Sequence, residues 1–293
     1  MTSVAAGRGG RMARSAVRAA RTLPIIPVAV LATMALGAIF ANQVAPHPPL
    51  EMDLSNALAP PFYHEGGSWT YPLGTDRLGR DIFSRLIHGG QVSLFLAFSV
   101  IVIGGSIGTA LGLTSGYVGG RVDAVIQRGV EAILSLPTIM VALVFVFVLG
   151  QSFSSIVMIL SPFIAASFAR MIRGEALSLR EKDYVALAHV AGASHVRIIL
   201  RHILPNVAGT IIVIATLEVG ALILVEASLS FLGVGVPPPT PAWGLMIDDG
   251  RQYLTTKYWL SVFPGLAIVV TVLSINWIGD WLRNALDPKR QII

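Results

Sequence analysis

The chain has 293 residues, 54% of them hydrophobic and only 13% charged, with a mean hydropathy of +0.72. Soluble domains carry about 25% charged residues, so the composition excludes an ordinary soluble domain and indicates an integral membrane protein. The net charge of +5 would suit a nucleic acid, but its placement around apolar segments argues for no nucleic-acid partner, and the absence of cysteine excludes disulfides, thiol redox chemistry and thiolate metal sites.

Residues 1–22 form a basic arm with Arg8, Arg11, Arg14, Arg18 and Arg21 among Gly and Ala. Residues 23–45 are long enough to span a bilayer, since about 20 apolar residues cross the hydrocarbon. Pro24 and Pro27 fall in the first turns, where a missing N–H costs least. The flanking Ala41-Asn42-Gln43-Val44 is a poor cleavage site, so the segment reads as a retained anchor.

Residues 46–90 are too polar and Pro-rich to span. Within them, Leu78, Ile82 and Leu86 recur every four residues, with Phe83 and Ile87 beside them. Asp76–Arg80, Arg77–Asp81 and Asp81–Arg85 are i,i+4 opposite pairs. The pattern predicts an amphipathic helix over 75–90 that either braces the bundle or offers Asp81 and Arg85 to an external partner.

The remaining residues, 91–282, read as a five-helix core. The second span, 91–117, carries Gly104, Gly108, Gly112 and Gly116 on one stripe that continues to Gly120, a smooth groove for close approach of a neighbouring helix. The polar stretch 119–131 precedes a third span over 132–150, with Pro137 near its start. A fourth follows over 152–172, ending near Arg170 and Arg173. The fifth is expected over 206–230 and the sixth over 258–281, separated by an outer loop with a stiff PPPTP run at 237–241. Residues 283–293 form a tail. Of the 21 Lys and Arg residues, 16 fall on the side of the N-terminus and the rest on the other, so the positive-inside rule makes both termini cytosolic.

The stretch 183–205 lies between two spans within a polar loop at 174–205, and the same rule places it in the cytosol. Its pattern is helix, break, helix. Tyr184, Val185, Leu187, Ala188 and Ala191 share one stripe, Gly192 permits a sharp turn, and Val196, Ile199, Leu200 and Ile203 form a second stripe that runs to Pro205. Such a unit can seat in a groove of another protein, or simply link two spans.

Two carboxylates are anomalous. Glu218 and Glu226 both fall in the fifth span, eight residues and about 12 Å of rise apart on nearly the same face. A charge in hydrocarbon is costly, so they are expected either to line a polar pathway or to bond to neighbouring helices. Asp248 and Asp249 in the outer loop either meet a partner or keep the loop hydrated. His189, His195 and His202 are read as solvated rather than metal-binding. No GxxxxGK[ST] phosphate loop occurs, so the chain has no ATPase of that kind and binds no ATP through one.

The 183–205 stretch resembles the EAA loop of bacterial ABC importer permeases. Ala186-Leu187-Ala188 stands where that pattern has Glu-Ala-Ala, Gly192 follows at the right spacing, and His202-Ile203-Leu204-Pro205 matches its ending. The Glu of the pattern is replaced by Ala186, so a salt bridge through it cannot form here. Residues 73–94, 226–250 and 279–288 resemble blocks of one subfamily, the peptide and nickel importer permeases of the second-subunit (permease C) type. The resemblance implies an all-α, type I permease fold with six spans in the inner membrane. It implies one half of a heterodimeric pore for di- or oligopeptides, with nickel, glutathione or another small solute as alternatives. It also implies a second permease, two ATP-binding subunits or one fused ATPase that hold ATP and Mg, an extracytoplasmic binding protein, and surrounding membrane lipid. ATPase coupling would fall to Asp183, Tyr184, Ala186, Leu187, Ala188, Gly192, Ala193, Arg197, Leu204 and Pro205. The rival classes are a passive channel or ion-coupled carrier, for which no inverted repeat is visible, and a non-transporting scaffold.

Overall fold

The structure, a computed structural model, describes residues 24–286. The basic arm and residues 287–293 of the tail lie outside the described residues. Those described form helices α1 (Ile25–Ile39), α2 (Ile82–Val118), α3 (Gly120–Leu134), α4 (Thr138–Leu149), α5 (Phe153–Arg180), α6 (Asp183–Val190), α7 (His195–Phe231), α8 (Trp243–Gly250) and α9 (Trp259–Leu286), with no named strand among them. Helices α2, α5, α7 and α9 are long and apolar enough to cross a membrane. The bent pair α3–α4 is a fifth candidate, and α1 is a shorter apolar helix of 15 residues.

Helix α5 is the most enclosed: 67% of its apolar window is buried, against 39% or less for the other three long spans. It packs along α2 through the glycine stripe. A Cβ placed on Gly104, Gly108, Gly112 or Gly116 would come within 2.3–2.7 Å of an α5 backbone carbonyl oxygen or, at Gly116, equally close to the Ala176 methyl. The absence of side chains there lets the two backbones touch, which is how helices pack where no water drives them together. Leu96, Val100, Leu160, Phe168 and Ile172 fill the core beside this seam. Gly120 does not belong to the stripe. Its φ of +59° turns the corner between α2 and α3, and its Cβ would meet nothing within 4 Å.

Two expected boundaries move. The third span is broken: α3 runs to Leu134, Pro137 caps α4, and the two meet at 86° across Ser135–Pro137. A proline restricts the residue before it to extended backbone, so the helix must stop and restart. Helix α4 has only 12 residues, about 18 Å of rise against about 30 Å of hydrocarbon.

The amphipathic helix expected over 75–90 begins only at Ile82 and then runs unbroken into the second span. Before it, the Asp76 carboxylate accepts from the Leu78 and Arg80 amides at 2.9 and 3.0 Å, and Gly79 adopts φ +75°. Side-chain bonds of this kind offer the backbone a turn instead of a helix. Asp81 is the cap, accepting from the Ser84 amide at 2.9 Å and the Ser84 hydroxyl at 2.6 Å.

The outer segment before α2 is irregular apart from the short turn Leu54–Asn56. Hydrogen bonds from Ser55 and Asn56 hold the Asp53 carboxyl down at about 2. The buried Trp243 fixes the other outer element, α8. Its indole lies against Gly89 and Gly90 of α2, and its Nε1–H donates to the Leu86 carbonyl at 2.9 Å.

Candidate functional site

The 183–205 segment folds by local rules. Helix α6 ends at Ala191, and Gly192 follows with φ +77°. The Ala193 amide donates back to Ala188 at 3.1 Å and the Gly192 amide to His189 at 3.0 Å. This is the Schellman arrangement, which satisfies the last carbonyls of the helix and favours glycine in the left-handed position. Ser194 then caps the next helix, its Oγ accepting from the Arg197 amide at 3.4 Å. The chain continues through a π-helical turn, Ile199–Ile203, into the body of α7, with Leu204 and Pro205 at the junction.

Inside the protein, the segment is held by buried Val185, Ile198 and Ile203. The Tyr117 hydroxyl at the end of α2 meets His195 Nδ1 at 3.1 Å, and the His195 and His189 rings meet edge to face. The expected stripes do not both turn inward. Of the first, only Val185 is buried, and of the second, only Ile203. Leu187 is 67% and Val190 88% exposed, and Tyr184, Val196 and Leu200 are exposed beside them. Asp183, Ala186, Gly192 and Arg197 are exposed, and Ala188, Ala193 and Leu204 are half-buried. Pro205 is exposed. The result is an exposed apolar group, Tyr184, Leu187 and Val190, on the short helix α6 before the glycine turn, while Val196 and Leu200 at the start of α7 line a groove with Ile101, Thr109 and Leu113 of α2. Among the described residues, no group of three or more His, Asp or Glu could hold a metal.

The two carboxylates of α7 have different surroundings. Glu226 is buried, and both its oxygens accept hydroxyls: from Ser93 of α2 at 2.9 Å and from Ser230 of its own helix at 2.7 Å. Of its two expected placements, Glu226 takes the bond to a neighbouring helix and is buried inside the chain. Glu218 is half-buried and accepts from Ser167 of α5 at 2.5 Å. Each is answered by a hydroxyl from a different helix, the cheapest partner a carboxylate can find away from water.

The expected docking pair Asp81 and Arg85 is also internal, both being buried. Asp81 is fully engaged as the α2 cap and lies 3.6 Å from His47. Arg85 joins a cluster the sequence did not suggest. Asp76 pairs with Arg80 at 2.7 Å and with Arg85 at 3.5 Å. Asp249 of α8 approaches Arg77, Arg80 and Arg85 at 3.4, 3.6 and 3.8 Å. Buried guanidinium groups are tolerated only when paired in this way. The cluster ties the head of α2 to α8 and occupies Asp249 from within. Asp248 pairs with Arg251 at 3.3 Å and is half-buried. At the opposite end, Arg173 of α5 grips Asp123 of α3 through two bonds of 2.6 Å. The pairs of Asp249 with Arg77, Arg80 and Arg85 and of Arg173 with Asp123 join distant parts of the chain, and no local spacing could have announced them, whereas Asp76–Arg80 keeps its expected i,i+4 spacing.

Comparison with known proteins bears on what such a chain is. Residues 108–292 match the family described as binding-protein-dependent transport system inner membrane component. The chain is similar to the dipeptide transport system permease protein DppC of Haemophilus influenzae, with 39% identity covering 87% of this chain and 86% of that one. It is similar to the di/tripeptide transport system permease protein DppC of Pseudomonas aeruginosa, with 40% identity over 86% of this chain and 83% of that one. The glutathione transport system permease protein GsiD of Escherichia coli is 41% identical over 86% of this chain and 82% of that one. Among solved structures, an inward-facing MetNI methionine ABC transporter superposes with a TM-score of 0.57 over 69% of this chain and 96% of that one, at 19% identity, and shares the fold. With its glycine-seamed spans and its helix–glycine–helix segment, this chain belongs to the family of binding-protein-dependent transport system inner membrane components.

Proposed function

We propose that the chain is a pore-forming permease subunit of an ATP-driven importer of di- or oligopeptides, seated in the inner membrane with both termini in the cytosol. The observation that carries this reading is the exposure of Tyr184, Leu187 and Val190 on the short helix that ends at the Gly192 turn. Exposed apolar residues grouped around a rigid turn are what a partner's groove requires. A separate ATPase, holding ATP and Mg, would take that segment. Binding of ATP between two such subunits would shift the segment, and α7 would carry the shift into the membrane because the part of the segment from His195 onward is continuous with it. Only contacts that differ between the two states can drive such a switch.

Short peptides are favoured as cargo because the similar proteins with curated names transport dipeptides, di/tripeptides or glutathione, itself a tripeptide. A second permease would complete the pore, and an extracytoplasmic binding protein would deliver the peptide. Neither Glu226 nor Arg85 would meet it.

Substituting Gly192 tests the docking role. Its Cβ would meet no atom within 4 Å, so the cost is backbone strain alone, about 1–2 kcal/mol for a non-glycine residue in the left-handed region. Gly192→Asp adds a charge to the same surface. In proteoliposomes containing the whole transporter, the variant should hydrolyse ATP without peptide uptake, or fail to retain the ATPase. Wild-type uptake per ATP by Gly192→Asp would overturn the proposal.

A further inference from the structure

The ion cluster between α2 and α8 is unbalanced. Arg77, Arg80 and Arg85 meet two carboxylates, Asp76 and Asp249, and no other carboxylate among the described residues pairs with them. The neighbouring Asp248 is taken by Arg251 at 3.3 Å. One positive charge therefore has no fixed anion to answer it. The acceptors are also fully engaged. Asp76 directs one oxygen to the Leu78 and Arg80 amides and the other to the Arg80 and Arg85 guanidinium groups. Asp249 directs one oxygen to Arg77 and the other to Arg80 and Arg85.

The shortage falls on Arg85, whose side chain is 2% exposed. Its Nε lies 3.5 Å from Asp76 and its Nη2 3.8 Å from Asp249. A good charge-assisted hydrogen bond is about 2.7–2.9 Å long, a length that Arg80 reaches with Asp76 at 2.7 Å. The third nitrogen of Arg85, Nη1, is buried and has no acceptor. A buried donor without an acceptor is costly, most of all on a charged group.

Arg85 lines a small cavity of about 10 Å³, together with Asp76, Arg77, Ile82, Met246 and Asp249. A single water needs about 10–15 Å³, so the space suits one atom-sized ligand and is too small for phosphate, sulfate or a carboxylate. The burial of Nη1 also keeps it out of reach of a partner's side chain. Charge then decides between water and a monatomic anion. Water would satisfy the N–H and leave the surplus positive charge in place, whereas an anion answers both. Asp76 and Asp249 oppose an anion there, but each is already held by guanidinium groups, and the third guanidinium tips the balance.

We propose that this cavity binds one chloride-sized halide ion, held by Arg85, which completes the joint between α2 and α8. The site is separate from the Gly192 segment and does not depend on which solute the transporter carries.

The test uses the intact transporter. Crystals grown in bromide should show an anomalous peak at Arg85 Nη1. In solution, with gluconate replacing chloride at constant ionic strength, amide exchange in residues 75–90 and 243–250 should slow as chloride is restored. The slowing should be about fivefold when chloride reaches four times its Kd. Residues 183–190, remote from the joint, should not respond. Arg85→Gln should abolish the chloride dependence, and its assembly with the other subunits establishes that the variant is folded. Should the variant not assemble, the bromide peak and the chloride dependence of the wild type decide alone. Water at Arg85 in bromide-grown crystals, or exchange at the joint that ignores chloride, would overturn the proposal. So would a chloride dependence that persists in assembled Arg85→Gln.

Discussion

Alanine at Gly108 is a small change with a large predicted cost. Its Cβ would lie 2.3 Å from the Ala165 carbonyl oxygen and 2.7 Å from the Phe168 Cβ, whereas ordinary contact begins at 3.4 Å. The α5 backbone must therefore retreat by about 1 Å, and a gap of that size forfeits a quarter to a half of the dispersion energy of each separated atom pair. Overpacking of this kind costs about 1–3 kcal/mol. Against it stands the higher helix propensity of alanine, about 1 kcal/mol. The net expectation is a loss of up to roughly 2 kcal/mol. Gly174 supplies the control: it lies within α5, yet its Cβ would meet nothing within 4 Å. Gly174→Ala should keep the propensity gain and raise stability by up to about 1 kcal/mol. Thermal denaturation of the detergent-purified permease should rank Gly174→Ala above wild type and wild type above Gly108→Ala. If Gly108→Ala melts at or above wild type, the two helices are not in backbone contact and the packing argument fails.

Asp249→Asn should weaken the attachment of α8 to α2 by roughly 1–3 kcal/mol, less than a fully buried pair because Asp249 is partly exposed and Asp76 still answers Arg80 and Arg85. Faster hydrogen exchange confined to residues 75–90 and 243–250 is the expected signature, and unchanged protection there would contradict it. Glu226→Gln, which keeps an acceptor for the Ser93 and Ser230 hydroxyls, should leave peptide uptake unchanged, whereas Glu226→Leu should destabilise by about 1–3 kcal/mol. Loss of uptake in a stable Glu226→Gln protein would restore a transport role. Asp53 has a folded pKa of about 2, below its ordinary 3.8, so its contribution is present above about pH 4 and lost as pH falls toward 2. Proteolysis of the outer segment should accelerate across that window in wild type and not in Asp53→Asn.

Much of this architecture was legible because membrane helices announce themselves by length and apolarity. The glycine seam was visible for the same reason: residues four apart share a face whatever they pack against. Gly192 could be read as a turn because Schellman geometry is local. The charged residues resisted reading. Asp76, Arg80 and Arg85 have helical spacing, but Asp76 bonds the backbone ahead of it and delays the helix to Ile82. The second carboxylate that Arg80 and Arg85 meet, Asp249, is more than 160 residues away. Glu218 and Glu226 share a helical face, yet their environments are set by which neighbouring helix supplies a serine. The break at Ser135–Pro137 was missed, because Pro137 reads as lying within the first turn of a single span and not as the point where the helix stops and restarts.

The Trp243 indole, wedged into the notch of Gly89 and Gly90, has a consequence for communication across the bilayer. It welds the outer hairpin to the top of α2. Helix α2 is meshed with α5 down its length, and two residues beyond α5 begins the Gly192 unit. A load on the α8 end thus has a stiff route to the opposite surface. If a ligand held at α8 changes affinity at the Gly192 unit by some factor, a partner held at the Gly192 unit must change affinity at α8 by that same factor, because coupling free energies are reciprocal.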